Sequence, residues 1–296
     1  MTTLEPFHNQ RLNEDGYTVL SLKQMGLSIS SPQELNEWLI QQPIQWRPYM
    51  FGQSRRTQLA GHVYTVSEYS SSLRIPTHHE LSYTRHAPKW VLFYAHVPSD
   101  NGVMHLLDGR LVLDGMQRDS LWQDKLKLGM TYAKCMPSEP HLGMGQTWMH
   151  HFGNKDRGVV ELYLQQNGIG FEWLDNGWLR TEHHRPVLRH QANQSPVWFA
   201  QPRLWDLKHR DLTYFHHRRP RAFWPTAIQW GDGTNISEEC FGWLDDFEFQ
   251  FKETLHLQQG DLLIVDNHRM AHGRGPFEGM RQHWVAMGDG RWNKSP

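Results

Sequence analysis

The segment Pro76-Thr77-His78-His79-Glu80-Leu81-Ser82-Tyr83 places a histidine and a carboxylate two residues apart. In extended backbone, side chains alternate with a period of two, so His78 and Glu80 share one face and His79 faces the other way. Such a pair can hold a metal ion. In a chain with 20 His the pattern also arises by chance, and a polar strand end with hydrogen-bonded histidines reads the same way. A second stretch, GDLLIVDNHRMAHGR from Gly260 to Arg274, bears on the choice, because an apolar strand there runs into a turn and delivers His272 beside Gly273. Two histidines and one carboxylate, leaving three positions open, form the facial triad of non-haem Fe(II) oxygenases. Two open positions can chelate a 2-oxo acid through its keto oxygen and C1 carboxylate, and the third can take O2. The far carboxylate of such a cosubstrate needs a fixed cation, which a buried arginine supplies bidentately. Arg281, on the strand after His272, is placed for that role.

Three stretches carry a resemblance: HVYTVSEYSSSLRIPTHHELSYTRHAPKWVLFYAHVPSDNG followed by LLDGR, GVVELYLQQNGIGFEWLDNGWLRTEHHRPVLRH followed by PVWF, and GDLLIVDNHRMAHGRGPFEGMRQHWVAMGDG. In them the chain resembles the taurine-dioxygenase-like (TauD/TfdA) family of Fe(II)/2-oxoglutarate oxygenases, and within it the SyrP-like branch associated with nonribosomal peptide pathways. The likeness runs from about Gly16 to Gly290, with the motifs in family order. It implies His78, Glu80 and His272 as iron ligands and Arg281 as the 2-oxoglutarate arginine. It implies a double-stranded β-helix, the jelly roll of clavaminate-synthase-like proteins. It also implies the reaction: O2 and 2-oxoglutarate are consumed, succinate is released, and a C–H bond of an amino acid or amino-acid-derived intermediate is hydroxylated, with the substrate free or tethered to a carrier protein. Related halogenases replace the metal carboxylate with a small residue, and Glu80 stands at that position here, so hydroxylation is expected.

The departures are equally specific. Where the family has a threonine that touches 2-oxoglutarate this chain has Met104, and where taurine dioxygenase has a second arginine four residues after the first it has Val285. Arg274 and His105 are the candidates to fill that gap, so Arg281, Arg274 and Met104 are the expected cosubstrate-site residues. An iron oxidase of the same fold that does not use 2-oxoglutarate, or a degenerate binding protein, are the alternatives that Met104 raises. A zinc hydrolase can also use two histidines and a carboxylate, but no further general-base glutamate stands beside the triad.

The elements that must position these residues are mostly strands. His62–Val66, Trp90–Ala95, Val197–Phe199, Phe247–Phe251, Asp261–Val265 and His283–Met287 are short and rich in β-branched or aromatic residues. Phe247, Phe249 and Phe251 alternate with polar residues, as in a half-buried strand. Two helices are signalled. One opens at Ser31-Pro32-Gln33-Glu34 and turns Leu35, Trp38 and Leu39 inward. The other runs from about Asp156 to Gly168 with Val160, Tyr163 and Leu164 on one side. The basic stretch His209–Arg221 reads as a long loop, either a solvated connection or a substrate-facing lid. The adjacent histidines 150–151, 183–184 and 216–217 read as loop or surface residues. Many short strands with few helices indicate a mainly β jelly roll with helices outside it, in a single domain over residues 1–296.

Composition sets the outer bounds. With 30 Lys+Arg against 31 Asp+Glu the formal net charge is -1, and no basic excess is available for a nucleic-acid backbone. Aromatics reach 12% with 14 Trp, so large rings must supply much of the buried area. Two cysteines, Cys135 and Cys240, cannot build a disulfide framework, and no apolar run approaches the ~20 residues needed to span a bilayer. A small-molecule enzyme of the cytoplasm, bound to neither nucleic acid nor membrane, is expected.

Overall fold

The computed structural model describes residues 6–49, 52, 56–67, 69–190, 195–207, 219–290 and 292. In chain order the strands are β1 (Tyr17–Ser21), β2 (Ile44–Arg47), β3 (Gln58–Ala60), β4 (Val63–Thr65), β5 (Ile75–His78), β6 (Trp90–Val97), β7 (Met104–Asp108), β8 (Met130–Met136), β9 (Gly170–Trp173), β10 (Leu179–Arg185), β11 (Leu188–Arg189), β12 (Val197–Trp198), β13 (Thr226–Trp230), β14 (Glu253–Leu255), β15 (Asp261–Asp266), β16 (Met270–Arg274) and β17 (Gln282–Gly290). The helices are α1 (Pro6–Glu14), α2 (Pro32–Ile40), α3 (Gly109–Gln117), α4 (Trp148–Phe152), α5 (Arg157–Gln166), α6 (Pro202–Trp205) and α7 (Glu238–Phe251). The chain divides into two compact units. One takes residues 1–81, 87–112 and 248–296, the other 82–86 and 113–247.

The first unit holds two antiparallel sheets. One runs β1-β15-β6-β17-β4-β3, with β2 also on β17, and the other runs β14-β7-β16-β5. Val91, Phe93, Ala95, Val285 and Met287 of the larger sheet share one apolar core with Met104, Leu106 and Met270 of the smaller. The opposite face of the larger sheet is buried too. Leu92, Tyr94, Leu262, Ile264 and Trp284 pack with Leu35, Trp38 and Leu39 of α2. Burial on both faces explains why Trp90–Ala95 reads as an unbroken apolar run rather than an alternation. This is the jelly roll expected from the strand pattern. The helix α2 begins as its residues dictate, with the Ser31 side chain accepting from the Glu34 N–H at 3.2 Å. The Glu34 carboxylate reaches one residue further back than a capping box does, taking the Ser30 N–H at 2.7 Å.

The second unit carries the sheet β13-β8-β10-β9 and the pair β11-β12. Met136 and Leu179 of that sheet pack on Trp148 and on Val160 and Leu164 of α5, whose N-cap is Asp156. Trp122 meets Trp198, Trp230 and Trp243 edge-on, so the tryptophans supply core as their number suggested.

One element differs from the sequence reading. Phe247–Phe251 is the end of α7, not a strand. Helical spacing decides burial there: Cys240 and Glu248, eight residues apart, are both buried, while Phe249 is 81% exposed. The alternating phenylalanines mimic a half-buried strand without being buried as one. Two histidine pairs also lie in regular elements, His150-His151 in α4 and His183-His184 in β10, rather than in loops. Residues 208–218, which take in most of the basic stretch and the pair at 216–217, lie outside the described residues.

Candidate active site

Strand pairing brings the three metal-type ligands together. On β16, His272 stands directly opposite His78 of β5, and the two imidazole centroids are 4.5 Å apart. Gly273 permits this approach: a Cβ there would lie 2.6 Å from the Ile75 carbonyl oxygen, so no other residue lets the two backbones come so close. The chain is extended only as far as His78, and Glu80 sits in the turn that follows, just before Leu81 adopts a left-handed φ of 55°. Even so Glu80 Oε2 lies 3.5 Å from His272 Nε2 and 4.0 Å from His78 Nε2. His79 turns away, as its position between the two requires, and its Nδ1–H donates to the Asn267 carbonyl at 2.7 Å.

The donor set fits a metal ion. His78 Nδ1–H donates to the Pro76 carbonyl at 2.9 Å, which leaves the Nε2 lone pair toward the cluster. His272 Nδ1 is buried without a hydrogen-bond partner among the described residues. One ligand atom from each of His78, Glu80 and His272 falls within 4.8 Å of the others. Bonds of about 2.1 Å at right angles put donors about 3 Å apart, so the 3.5 and 4.0 Å separations found would need only to tighten slightly around an ion. Burial, then His272, pushes the His78 pKa down to about 3, so the ring is neutral and able to ligate. Burial alone would raise the Glu80 carboxyl. The Arg56 guanidinium, the hydrogen bond with His272 and the imidazoles outweigh that and hold it well below the usual carboxylate range.

Two residues along β7 from Leu106, the partner of His272, Met104 faces Arg281. That step is about 7 Å along a strand. Arg281 Nη2 donates to Met104 Sδ at 3.3 Å and to His283 Nδ1 at 2.8 Å. Burial, then Arg274, lowers its pKa to about 10, which leaves it a cation at neutral pH. No acidic side chain among the described residues pairs with it. A half-buried cation lacking its anion is the complement of a ligand carboxylate.

Comparison with known proteins bears on this geometry directly. The model of the taurine catabolism dioxygenase TauD, TfdA family matches residues 15–287. The chain belongs to the TauD/TfdA family. Among relatives of this TauD/TfdA protein, the dapdiamide synthesis protein DdaC of Enterobacter agglomerans is 28% identical over 274 residues, covering 89% of this chain and 80% of the relative. A clavaminate synthase-like protein of Arabidopsis thaliana is 25% identical, covering 87% and 78%. The fold is shared with a crystal structure of asparagine oxygenase in complex with Fe(II), 3-hydroxyasparagine and succinate, at 13% identity and a TM-score of 0.51 over 95% of this chain and 77% of that one. It is shared too with the non-heme iron oxygenase OrfP in complex with Fe, succinate and a dihydroxy-L-arginine, at 16% identity and a TM-score of 0.51 over 96% and 79%.

Within this TauD/TfdA chain, Arg274 does not join Arg281 as a second free cation. Its guanidinium donates to the backbone carbonyls of Gly275 and Ser70 at 3.0 and 2.9 Å, and of Tyr69 and Ser71 at longer range, pinning the 69–71 loop. His105, next to Met104 on β7, contacts Thr254 Oγ1 at 3.2 Å. Three residues that hold the site were not singled out from the sequence. Arg56 Nη2 bonds Glu80 Oε2 at 2.7 Å with both side chains buried. Asn267, fully buried, takes the Glu80 N–H on Oδ1 at 2.6 Å and returns Nδ2–H to the Glu80 and Pro88 carbonyls. Glu248 of α7 accepts from the Thr77 N–H and hydroxyl, each at 3.0 Å, and fastens β5 one residue before His78. Only Asn267 had a local signal, its place in the DNH turn between the strand and His272.

Proposed function

We propose that this protein is an Fe(II)/2-oxoglutarate-dependent oxygenase that hydroxylates an amino acid or amino-acid-derived intermediate in secondary metabolism, with His78, Glu80 and His272 as iron ligands and Arg281 as the anchor of the cosubstrate. The observation that carries it is the buried two-histidine, one-carboxylate cluster together with a half-buried arginine that no acidic side chain among the described residues pairs with, in a chain of the TauD/TfdA family.

The residues divide the work. His78 and His272 give neutral nitrogen donors, one fixed in tautomer by the Pro76 carbonyl. Glu80 brings one negative charge, and its backbone is held on both sides by Asn267. When bound, Fe(II) supplies the activation of O2 through which a 2-oxo acid is decarboxylated and a C–H bond oxidised. Arg281 takes the far carboxylate of that acid, and its partial burial strengthens the attraction relative to open solvent. Phe93, whose ring lies 5.0 Å from that of His272, walls the metal ligands from the apolar core.

The family match through both units supports one functional domain over residues 1–296. The name of the Enterobacter relative supports a place in peptide-like secondary metabolism. The substrate on this reading is free or tethered to a carrier protein. No described helix is long and apolar enough to cross a membrane. A cytoplasmic location is proposed with this function, supported by the two buried free cysteines.

Anaerobic Fe(II) and 2-oxoglutarate test the reading. Bidentate chelation gives a weak visible charge-transfer band, expected in the wild type, lost in His78→Ala and weakened in Arg281→Ala. Asparagine and arginine, the parents of the hydroxylated amino acids bound in the two solved oxygenases of the same fold, are the first substrates to screen, free and carrier-tethered, by succinate release. Iron binding with no band would point to an oxidase that uses no 2-oxo acid.

A further inference from the structure

His283 is buried, and its position is set by strand geometry. Arg281 stands just before β17, whose register shifts between Gln282 and His283, and a direct side-chain contact rather than strand alternation brings the two together, while Val285 and Met287 continue the side of His283 into the inter-sheet core. Across the sheet His283 stands opposite Ala95, and Val285 opposite Phe93, the ring that touches His272. The imidazole therefore lies on the inner wall, between the anchoring arginine and the ring beside the metal cluster.

Its hydrogen bonds leave one group over. A guanidinium has only donors, so the 2.8 Å contact from Arg281 Nη2 makes His283 Nδ1 an acceptor. The proton of the neutral ring is then on Nε2. That N–H is buried with no partner among the described residues. A buried donor without an acceptor costs free energy that neighbouring protein groups normally relieve. Of the other side chains on Arg281, Met104 brings a thioether that can accept but cannot donate, and Phe277 only a ring face. This part of the inner wall thus offers a guanidinium and, one ring's width away, a second unused donor.

We propose that His283 is a second cosubstrate-binding residue, its Nδ1 orienting Arg281 and its Nε2–H donating to the same far carboxylate of the 2-oxo acid. The neutral tautomer is secured by burial and by the Arg281 charge, which bring the His283 pKa down to about 3. This rests on the oxygenase reading above and adds to it the residue that selects a diacid over a monoacid.

Two substitutions separate the two nitrogens. In His283→Asn the amide oxygen can take the place of Nδ1 but nothing reaches the place of Nε2. In His283→Gln the amide nitrogen reaches it. The charge-transfer band of the anaerobic Fe(II) protein is titrated with 2-oxoglutarate and with 2-oxobutyrate, which chelates in the same way but has no far carboxylate. The expected result for His283→Asn is a Kd for 2-oxoglutarate raised about ten-fold or more, the worth of one hydrogen bond to a charged group. The 2-oxobutyrate Kd and the Fe(II) affinity should stay at wild-type values. His283→Gln should recover most of the loss, and so should Met104→Thr placed in the His283→Asn background, since it supplies a hydroxyl donor beside Arg281. An equal loss for both 2-oxo acids, or no loss for either, overturns the proposal and leaves the oxygenase reading standing. A wild-type protein that chelates neither acid overturns both. Should His283→Asn not fold, the wild type loaded with Zn(II) answers the question: 2-oxoglutarate, but not 2-oxobutyrate, should shift and protect the His283 Nε2–H resonance. An unmoved resonance overturns the proposal.

Discussion

Arg56 and Glu80 form an ion pair whose side chains are 5% and 6% exposed, and the carboxylate oxygen that receives Arg56 is the one that faces both imidazoles. Removing one partner of such a pair strands a buried charge. Arg56→Met is therefore expected to destabilise the metal-free protein by about 3–5 kcal/mol. A divalent ion would restore the missing positive charge, so Zn(II) should recover much of that loss. Urea unfolding with and without Zn(II) measures both quantities, and equal destabilisation in the two states would contradict this role for Arg56. Residue types, spacing and the family resemblance together pointed to His78, Glu80 and His272, which the fold does bring together, because a metal constrains which donors can serve. They could not reveal Arg56, Asn267 or Glu248, which act on the ligands through a charge or a backbone bond and belong to no local pattern. Arg274 shows the reverse case. Its type suggested an anion site, whereas four backbone carbonyls take its donors.

At the scale of elements, β5 and β16 must lie close enough for His78 to face His272, and Gly273 and the Glu248 side chain both secure this. Gly273→Ala would press a methyl into the Ile75 carbonyl and the start of Thr77. The expected outcome is a loss of metal affinity of 10-fold or more, as for other disturbances just outside the ligands. Gly242→Ala in α7 is the control, since nothing lies within 4 Å of its added Cβ, and it should be neutral or stabilising by about 0.5–1 kcal/mol. Glu248→Ala removes the acceptor for the Thr77 N–H and hydroxyl and for Arg74, and is expected to cost about 3 kcal/mol while lowering metal affinity as well. Denaturant midpoints and metal titrations of the three variants check these expectations; an unchanged metal affinity in both Gly273→Ala and Glu248→Ala would show that the strand contact does not position the ligands. The element that escaped the sequence reading was α7 itself. Strands β6, β15 and β17 are apolar on both faces and were legible as runs, whereas α7 exposes Phe249 and buries Glu248, so its polarity is the inverse of the usual amphipathic signal.

Over the whole molecule, net charge is close to zero at neutral pH, so general repulsion does not drive unfolding on mild acidification, and individual buried groups govern the response. Among the described residues several imidazoles are held neutral. Burial, then Lys252 and Arg74, brings His105 down to about 4; burial, then Arg185 and Lys134, brings His183 to about 3; burial, then Arg281, brings His283 to about 3. In the unfolded chain each titrates near 6.5. Between these values the unfolded state binds more protons than the folded one, so stability rises with pH. The contribution of these histidines is fully present above about pH 6.5 and is lost as pH falls from there through about 4 toward about 3. Each can add a slope of up to about 1.4 kcal/mol per pH interval. The depressed carboxyls Glu80 and Asp108 act lower, since their stabilising charge is fully present above the unfolded values, near 4.5 and 3.8, and is lost only as pH drops below them. The two windows are therefore separable in the metal-free protein. Urea midpoints should decline already between pH 6.5 and 5, before carboxylates titrate, and His283→Gln, which carries no proton to bind, should make that decline shallower. A midpoint flat from pH 7 to 5, or a slope untouched by the substitution, would mean that the buried imidazoles do not set the acid limit of the fold.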